Sequence, residues 1–277
     1  MKMRLRVVRM AVLAYVGFAG LLFVLQRSMI FLPAQFPEEM GRSMAVRQGL
    51  EAWEVDGVFH GWKDTVGGEG AVIIFHGNAG AAVHRDYLRD LFRGVTVTAA
   101  HSIYLVEYPG YGFRSGRPSE KAFREAALKA HDAIRNDYAS VLLVGESIGS
   151  GPATWLAAER EADGVLLITP FNRLSAAASH HYPWLPVRLL LRDRFLNDTY
   201  LQGYSGPVAF VVAGQDAVIP SRLGRKLYEG YDGPKLWRLQ EDADHNSVYF
   251  EPGSAFWLEV MQFLVPDSPA NREAEDE

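Results

Sequence analysis

The 277-residue chain is 48% apolar and 22% charged, enough apolar surface for a sizeable core, which excludes an intrinsically disordered or collagen-like protein. Lys and Arg number 28 against 33 Asp and Glu, a net charge of -5, so nucleic-acid binding would need a local basic patch, and the body of the chain has none. The lack of cysteine excludes disulfides, thiolate metal sites and a cysteine nucleophile together.

Lys2, Arg4, Arg6 and Arg9 precede residues 10–26 (MAVLAYVGFAGLLFVLQ), a charge-free run that ends at Arg27. Seventeen residues of helix rise about 25 Å, the short end of the spanning range. An uncleaved membrane anchor is the favoured reading. A cleaved signal peptide, with its small-x-small site at Gly17-Phe18-Ala19, and a buried helix are the alternatives; the apolar run 21–25 after Ala19 speaks against cleavage. Four basic residues before the span against one after it place the N-terminus in the cytoplasm and the body on the periplasmic or extracytoplasmic side. The expected divisions are residues 1–30 as anchor, 31–265 as one α/β domain and 266–277 as a disordered acidic tail. The anchor is expected to tether the domain without building its site.

Residues 31–44 carry no clear period, and 45–63 alternate around Gly49, Gly57 and Gly61 as an antiparallel hairpin would. Short continuous apolar runs then follow at 71–75, 103–107, 141–145, 165–169 and 208–213, the pattern of strands buried on both faces, with a further strand at 235–240. Helical stretches at 119–136, with Ser119 as N-cap, at 152–160 and at 221–229 lie between them. Strands alternating with helices specify a mostly parallel sheet with helices on both faces. Residues 171–200 interrupt that rhythm with aromatics, prolines and Leu189-Leu190-Leu191, and read as a small helical cap.

Gly145-Glu146-Ser147-Ile148-Gly149 follows an apolar strand and leads into a helix. That is the context of the G-x-S-x-G elbow, whose sharp turn leaves no room for side chains two residues either side of the serine. A serine hydroxyl needs a histidine base held in one tautomer by a carboxylate, and on this architecture the order is Ser, acid, His. Asp216 lies just past the strand 208–213 and is the expected acid; Asp193, Asp198, Asp232, Asp242 and Asp244 compete on composition alone. Of the histidines after Ser147, His180 and His181 precede the acid, so His245 is the expected base. Oxyanion donors are expected from the backbone of Ile148 and, in His76-Gly77-Asn78-Ala79-Gly80, of Asn78. His76 reads as loop bracing rather than a metal ligand. His60, His84 and His101 show no ligand spacing, and the glycine runs at 67–70 and 110–116 fit neither a phosphate loop nor a dinucleotide fingerprint, so no metal and no cofactor is expected.

On these residues the chain resembles the α/β-hydrolase superfamily, and more narrowly the ABHD-type membrane-anchored serine hydrolases. FHGNAG at 75–80 with His84-Arg85 beyond it, EYPGYGFRSGRPSE at 107–120, VGESIGSG at 144–151, AGQDAVIP at 213–220 and DHNSVY at 244–249 match family blocks in family order, spanning about residues 30–263. The resemblance implies the same triad and oxyanion positions, and a glycine-rich loop at 108–119 bordering the site. Family members often carry a basic residue at Pro109 and a basic or polar one at Glu146. The expectation is a serine hydrolase of carboxylic esters or thioesters, with lipid-like acyl substrates favoured by anchor and cap. A small-ester carboxylesterase, a serine peptidase and a catalytically silent membrane-tethered scaffold are its rivals. No feature specifies an oligomeric state.

Overall fold

The computed structural model describes residues 1–265; the tail expected at 266–277 lies outside the described residues. Helix α1 (Lys2–Ile30) runs unbroken through the charge-free stretch. Among the described residues it is the one helix long and apolar enough to cross a membrane, and only 6% of its most apolar window is buried. That exposure removes the buried-helix alternative, because a core helix is covered by its own protein. The stretch without a legible period contains α2 (Glu38–Arg47), entered through Pro37 with Glu38 and Glu39 in its first turn. The expected hairpin therefore starts later than residue 45. It pairs β1 (Glu51–Val55) with β2 (Val58–Asp64) through Asp56 and Gly57, both at positive φ (52° and 73°), as a tight type I′ turn requires.

The remaining strands are β3 (Gly70–Phe75), β4 (Ser102–Val106), β5 (Ser140–Glu146), β6 (Gly164–Ile168), β7 (Val208–Ala213) and β8 (Lys235–Gln240). They form one sheet in the order β1-β2-β4-β3-β5-β6-β7-β8. β2 pairs antiparallel with β1 and β4, and every pairing from β4 to β8 is parallel. Successive side chains point to opposite faces, and the two faces support two cores. Ile73, Phe75, Leu143, Leu167 and Phe210 pack on one side with α4 (Glu120–Ile134), α5 (Ser150–Glu159) and α9 (Ser221–Glu229). Val72, Ile74, Leu142, Val144 and Ile168 pack on the other with α3 (Asp86–Gly94) and α10 (Ala255–Leu264). The mostly parallel sheet with helices on both faces is as expected, and so is Ser119 as N-cap of α4, its Oγ accepting from Ala122 N at 3.1 Å.

Between β6 and β7 stand three short helices, α6 (Leu174–His181), α7 (Val187–Leu190) and α8 (Asn197–Tyr200). Asn197 fastens them to the body, its Nδ2 donating to Ser150 Oγ and Phe171 O, both at 2.9 Å. The chain leaves β3 towards β4 on one side and leaves β5 towards β6 on the other. The loops at the carboxyl ends of β3 and β5 therefore diverge around a crevice, the usual ligand position in such sheets.

Candidate active site

β5 ends at Glu146 and the chain turns through Ser147 into a 3₁₀ turn, Ser147–Gly149, before α5. Ser147 is held at φ 52°, a left-handed conformation that non-glycine residues adopt only when their surroundings impose it. The flanking glycines are sterically required. A Cβ on Gly149 would lie 2.0 Å from Phe75 O, and one on Gly145 would lie 2.7 Å from Gly149 O. The serine backbone is locked from inside, Ser150 Oγ donating to Ser147 O at 2.6 Å.

Asp216 follows β7. Its Oδ1 accepts from Val218 N at 2.8 Å and Ile219 N at 2.6 Å, which fixes the carboxylate and leaves Oδ2 facing His245 Nδ1 at 2.7 Å. His245 Nε2 in turn stands 3.0 Å from Ser147 Oγ. With the Nδ1 hydrogen directed at the carboxylate, the Nε2 lone pair faces the serine hydroxyl, the tautomer needed to accept its proton. Three of the five rival acids are occupied elsewhere. Asp193 pairs with Arg27, Asp198 with Arg173, and Asp244 shapes its own loop by accepting from Asn246 N. His180 contacts Arg222 and His181 contacts Val218 O.

Ser147, Ile148, His245 and Asn78 all line one cavity of about 800 Å³, so the structure brings together the residues singled out from sequence. Its other walls are largely apolar and include Met29, Ile30, Phe171, Leu174, Ile219 and Val248. Asn78 is anchored by its side chain, Nδ2 donating to Ile30 O at 2.5 Å and Oδ1 accepting from Leu32 N at 3.0 Å and Tyr111 OH at 2.9 Å. Through Tyr111 the loop 108–119 braces the Asn78 loop, and none of its residues lines the cavity. His76 braces as expected: its ring packs on Tyr108 with centroids 4.3 Å apart, and Nδ1 lies 2.7 Å from Gly77 O.

Glu146 is not the free carboxylate its place beside Ser147 suggests. Its Oε2 accepts from Arg85 Nε at 2.8 Å and Gly77 N at 2.7 Å, and its Oε1 from Tyr87 OH at 2.6 Å. Burial acts to raise its pKa, but the Arg85 charge and these donors outweigh burial and hold the carboxyl below the usual carboxylate range. The Tyr87 hydroxyl is pushed up, first by burial and then by the Glu146 charge. The Glu146 and Arg85 charges cancel at the cavity wall. The sequence pattern contained Arg85 but no sign of its partner, and it missed the cavity-lining end of α1. Met29 and Ile30 line the cavity, contrary to the expectation of a tether apart from the site.

No family model matches the chain. An uncharacterized protein of Mycobacterium tuberculosis is 29% identical over 266 residues, 92% of this chain and 93% of the relative. The lysophosphatidylserine lipase ABHD12 of Mus musculus is 30% identical over 188 residues, 60% of this chain and 47% of the relative, so the match spans about half of that protein's length. Among solved structures, an esterase of Pyrococcus furiosus superposes with a TM-score of 0.60 at 16% identity, covering 86% of this chain and 95% of the other. A monoacylglycerol lipase of Paleococcus ferrophilus gives a TM-score of 0.55 at 19% identity, covering 74% and 98%. At these identities the structural likeness establishes the fold.

Proposed function

We propose, from the premise that the chain belongs to the α/β-hydrolase superfamily and resembles its ABHD-type members, that it is a serine hydrolase of carboxylic esters with aliphatic acyl groups. The observation that carries this reading is the unbroken line Asp216, His245, Ser147, with separations of 2.7 and 3.0 Å, at a cavity whose walls are largely apolar.

In the proposed reaction Ser147 Oγ attacks the ester carbonyl carbon while His245 Nε2 takes its proton, and Asp216 stabilises the imidazolium that forms. The carbonyl oxygen becomes an oxyanion facing the backbone N–H groups of Asn78 and Ile148. Collapse expels the alcohol, which receives the proton from His245 and leaves an acyl-Ser147 ester. Water, deprotonated by the same histidine, then releases the carboxylic acid. A thioester follows the same path with a thiol as leaving group. The relatives named as lipases support a lipid-like substrate, and the four basic residues before the apolar stretch of α1 support an anchor with the catalytic domain outside the cytoplasm.

A fluorophosphonate probe on full-length protein tests the reading. The expected result is labelling that disappears in Ser147→Ala, with turnover of a series of p-nitrophenyl esters of increasing chain length. Folded protein that neither labels nor turns over any ester would overturn it.

A further inference from the structure

Helix α1 does not leave the domain as a free tether. Tyr15 OH donates to Trp184 O at 2.9 Å, and Phe18 stacks on the Trp184 ring with centroids 5.8 Å apart. Arg192 lies 4.1 Å from the Phe23 ring. Gln26 Nε2 donates to Leu190 O at 3.2 Å while its Oε1 accepts from Arg192 N at 2.8 Å, and Arg27 pairs with Asp193. From Tyr15 to Arg27 these contacts follow the helix for about 18 Å of its axis. They fall largely within the charge-free residues 10–26, so a bilayer that surrounds this part of α1 also meets the cap loop packed on it. That loop is built for a lipid surface: Leu189 is 82% exposed and Trp184 51%, with the exposed cations Arg188 and Arg192 beside them.

Between α1 and this loop lies an apolar groove of about 130 Å³, lined by Leu22, Phe23, Leu185, Val187, Leu190 and Leu191 among others. It adjoins the cavity over Ser147, since Met29, Ile30, Ala178 and Tyr182 line both. The one amide in its wall, Gln26, is bonded to main-chain groups. A peptide occupant would need partners for its own N–H and C=O groups, and this wall supplies little for them. An alkyl chain needs none.

We propose that the groove is an acyl-chain channel. The aliphatic chain of a bilayer-resident ester passes laterally between α1 and residues 182–191 and brings its carbonyl to Ser147 without crossing water. The anchor is thereby one wall of the substrate site. This deepens the ester-hydrolase reading and rests on it. Each methylene exposed to water on the way is unfavourable, so the groove matters for long chains and is dispensable for short ones that fit over Ser147.

The test uses full-length protein in phosphatidylcholine nanodiscs and a long-chain alkyl fluorophosphonate with a terminal diazirine. Ser147 Oγ displaces fluoride from phosphorus, and illumination then cross-links the far end of the chain. The expected cross-links fall on peptides containing Leu22 and Phe23 or Leu185 and Leu190. Absence of the Ser147 adduct would overturn the hydrolase reading itself. An adduct whose chain cross-links elsewhere would overturn the channel and leave that reading standing. Leu22→Trp and Leu190→Trp, which fill the groove, are each expected to lower kcat/KM for a long-chain ester in vesicles by about tenfold or more. A butyrate ester should change by less than about twofold. Equal losses on both esters, or no loss on the long one, would overturn the channel.

Discussion

Arg27, at the end of the apolar stretch of α1, directs Nε and Nη2 onto the two carboxylate oxygens of Asp193 in the cap, at 2.8 and 3.2 Å. Asp193 is buried and also accepts from Glu120 N at 2.9 Å. One carboxylate thus joins α1, the cap and the start of α4. Glu120 repeats the tie, accepting from Arg194 N at 2.7 Å and Phe195 N at 3.0 Å. Phe31, the residue after α1, closes the junction by packing between Phe123 and Phe195.

Removing the Arg27 guanidinium leaves the Asp193 carboxylate buried with only part of its hydrogen bonding. Arg27→Ala is expected to destabilise the domain by about 1–3 kcal/mol, read as a lower Tm in detergent. The double variant with Asp193→Asn should recover part of that loss, since the unpaired charge is gone. Additive losses would show that the pair is not coupled.

Asp216→Asn is expected to preserve the fold while lowering kcat by roughly 10³ to 10⁴, because an amide in place of the carboxylate no longer holds the Nδ1–H tautomer of His245. Circular dichroism checks the fold and p-nitrophenyl butyrate turnover checks the rate. Near-normal turnover would remove Asp216 from the proposed triad.

Glu146 ties the turn at Ser147 to Arg85, Tyr87 and the loop carrying Asn78. Glu146→Gln is expected to cost about 1–3 kcal/mol at neutral pH by leaving the part-buried Arg85 without its counter-charge. The carboxyl is held below its ordinary range, so its stabilisation is present above the unfolded carboxylate value, about 4.3. It is lost as the pH falls through the lower folded value. The stability gap between wild type and variant should therefore be constant from pH 7 to 5 and shrink in stronger acid. A gap independent of pH down to 3 would contradict the ion pair.

His60 is buried against Trp53, and burial, aided by the Arg114 charge, lowers its pKa to about 4. Unfolded histidine titrates near 6.5, so between these values the unfolded chain binds the extra proton. Stability due to the neutral ring is full above pH 6.5 and declines as the pH falls towards 4. His60→Leu removes that titration. Thermal melts of both proteins should show the variant gaining on wild type across this window, and parallel pH profiles would refute the assignment.

The elements that depend on near neighbours were legible in the chain itself. Continuous apolar runs such as those at 71–75 and 141–144 leave a strand no exposed face, so a buried parallel sheet follows from composition and length alone. The glycines around Ser147 mark a turn because clashes with Phe75 O and Gly149 O exclude a Cβ, and strand order then leaves Asp216 and His245 as the candidates for its partners. Helices α2 and α3 were missed although their signals are local, with Glu38 and Glu39 in one first turn and Leu88, Leu91 and Phe92 on one face of the other. Tertiary structure alone decided that Glu146 is neutralised by Arg85, 61 residues away, and that Asp193 serves Arg27, 166 residues away, rather than a histidine. It also decided that the end of α1 forms a wall of the cavity. A carboxylate carries the same local signature whether it faces solvent, a guanidinium or an imidazole, and only the meeting of distant segments selects its partner.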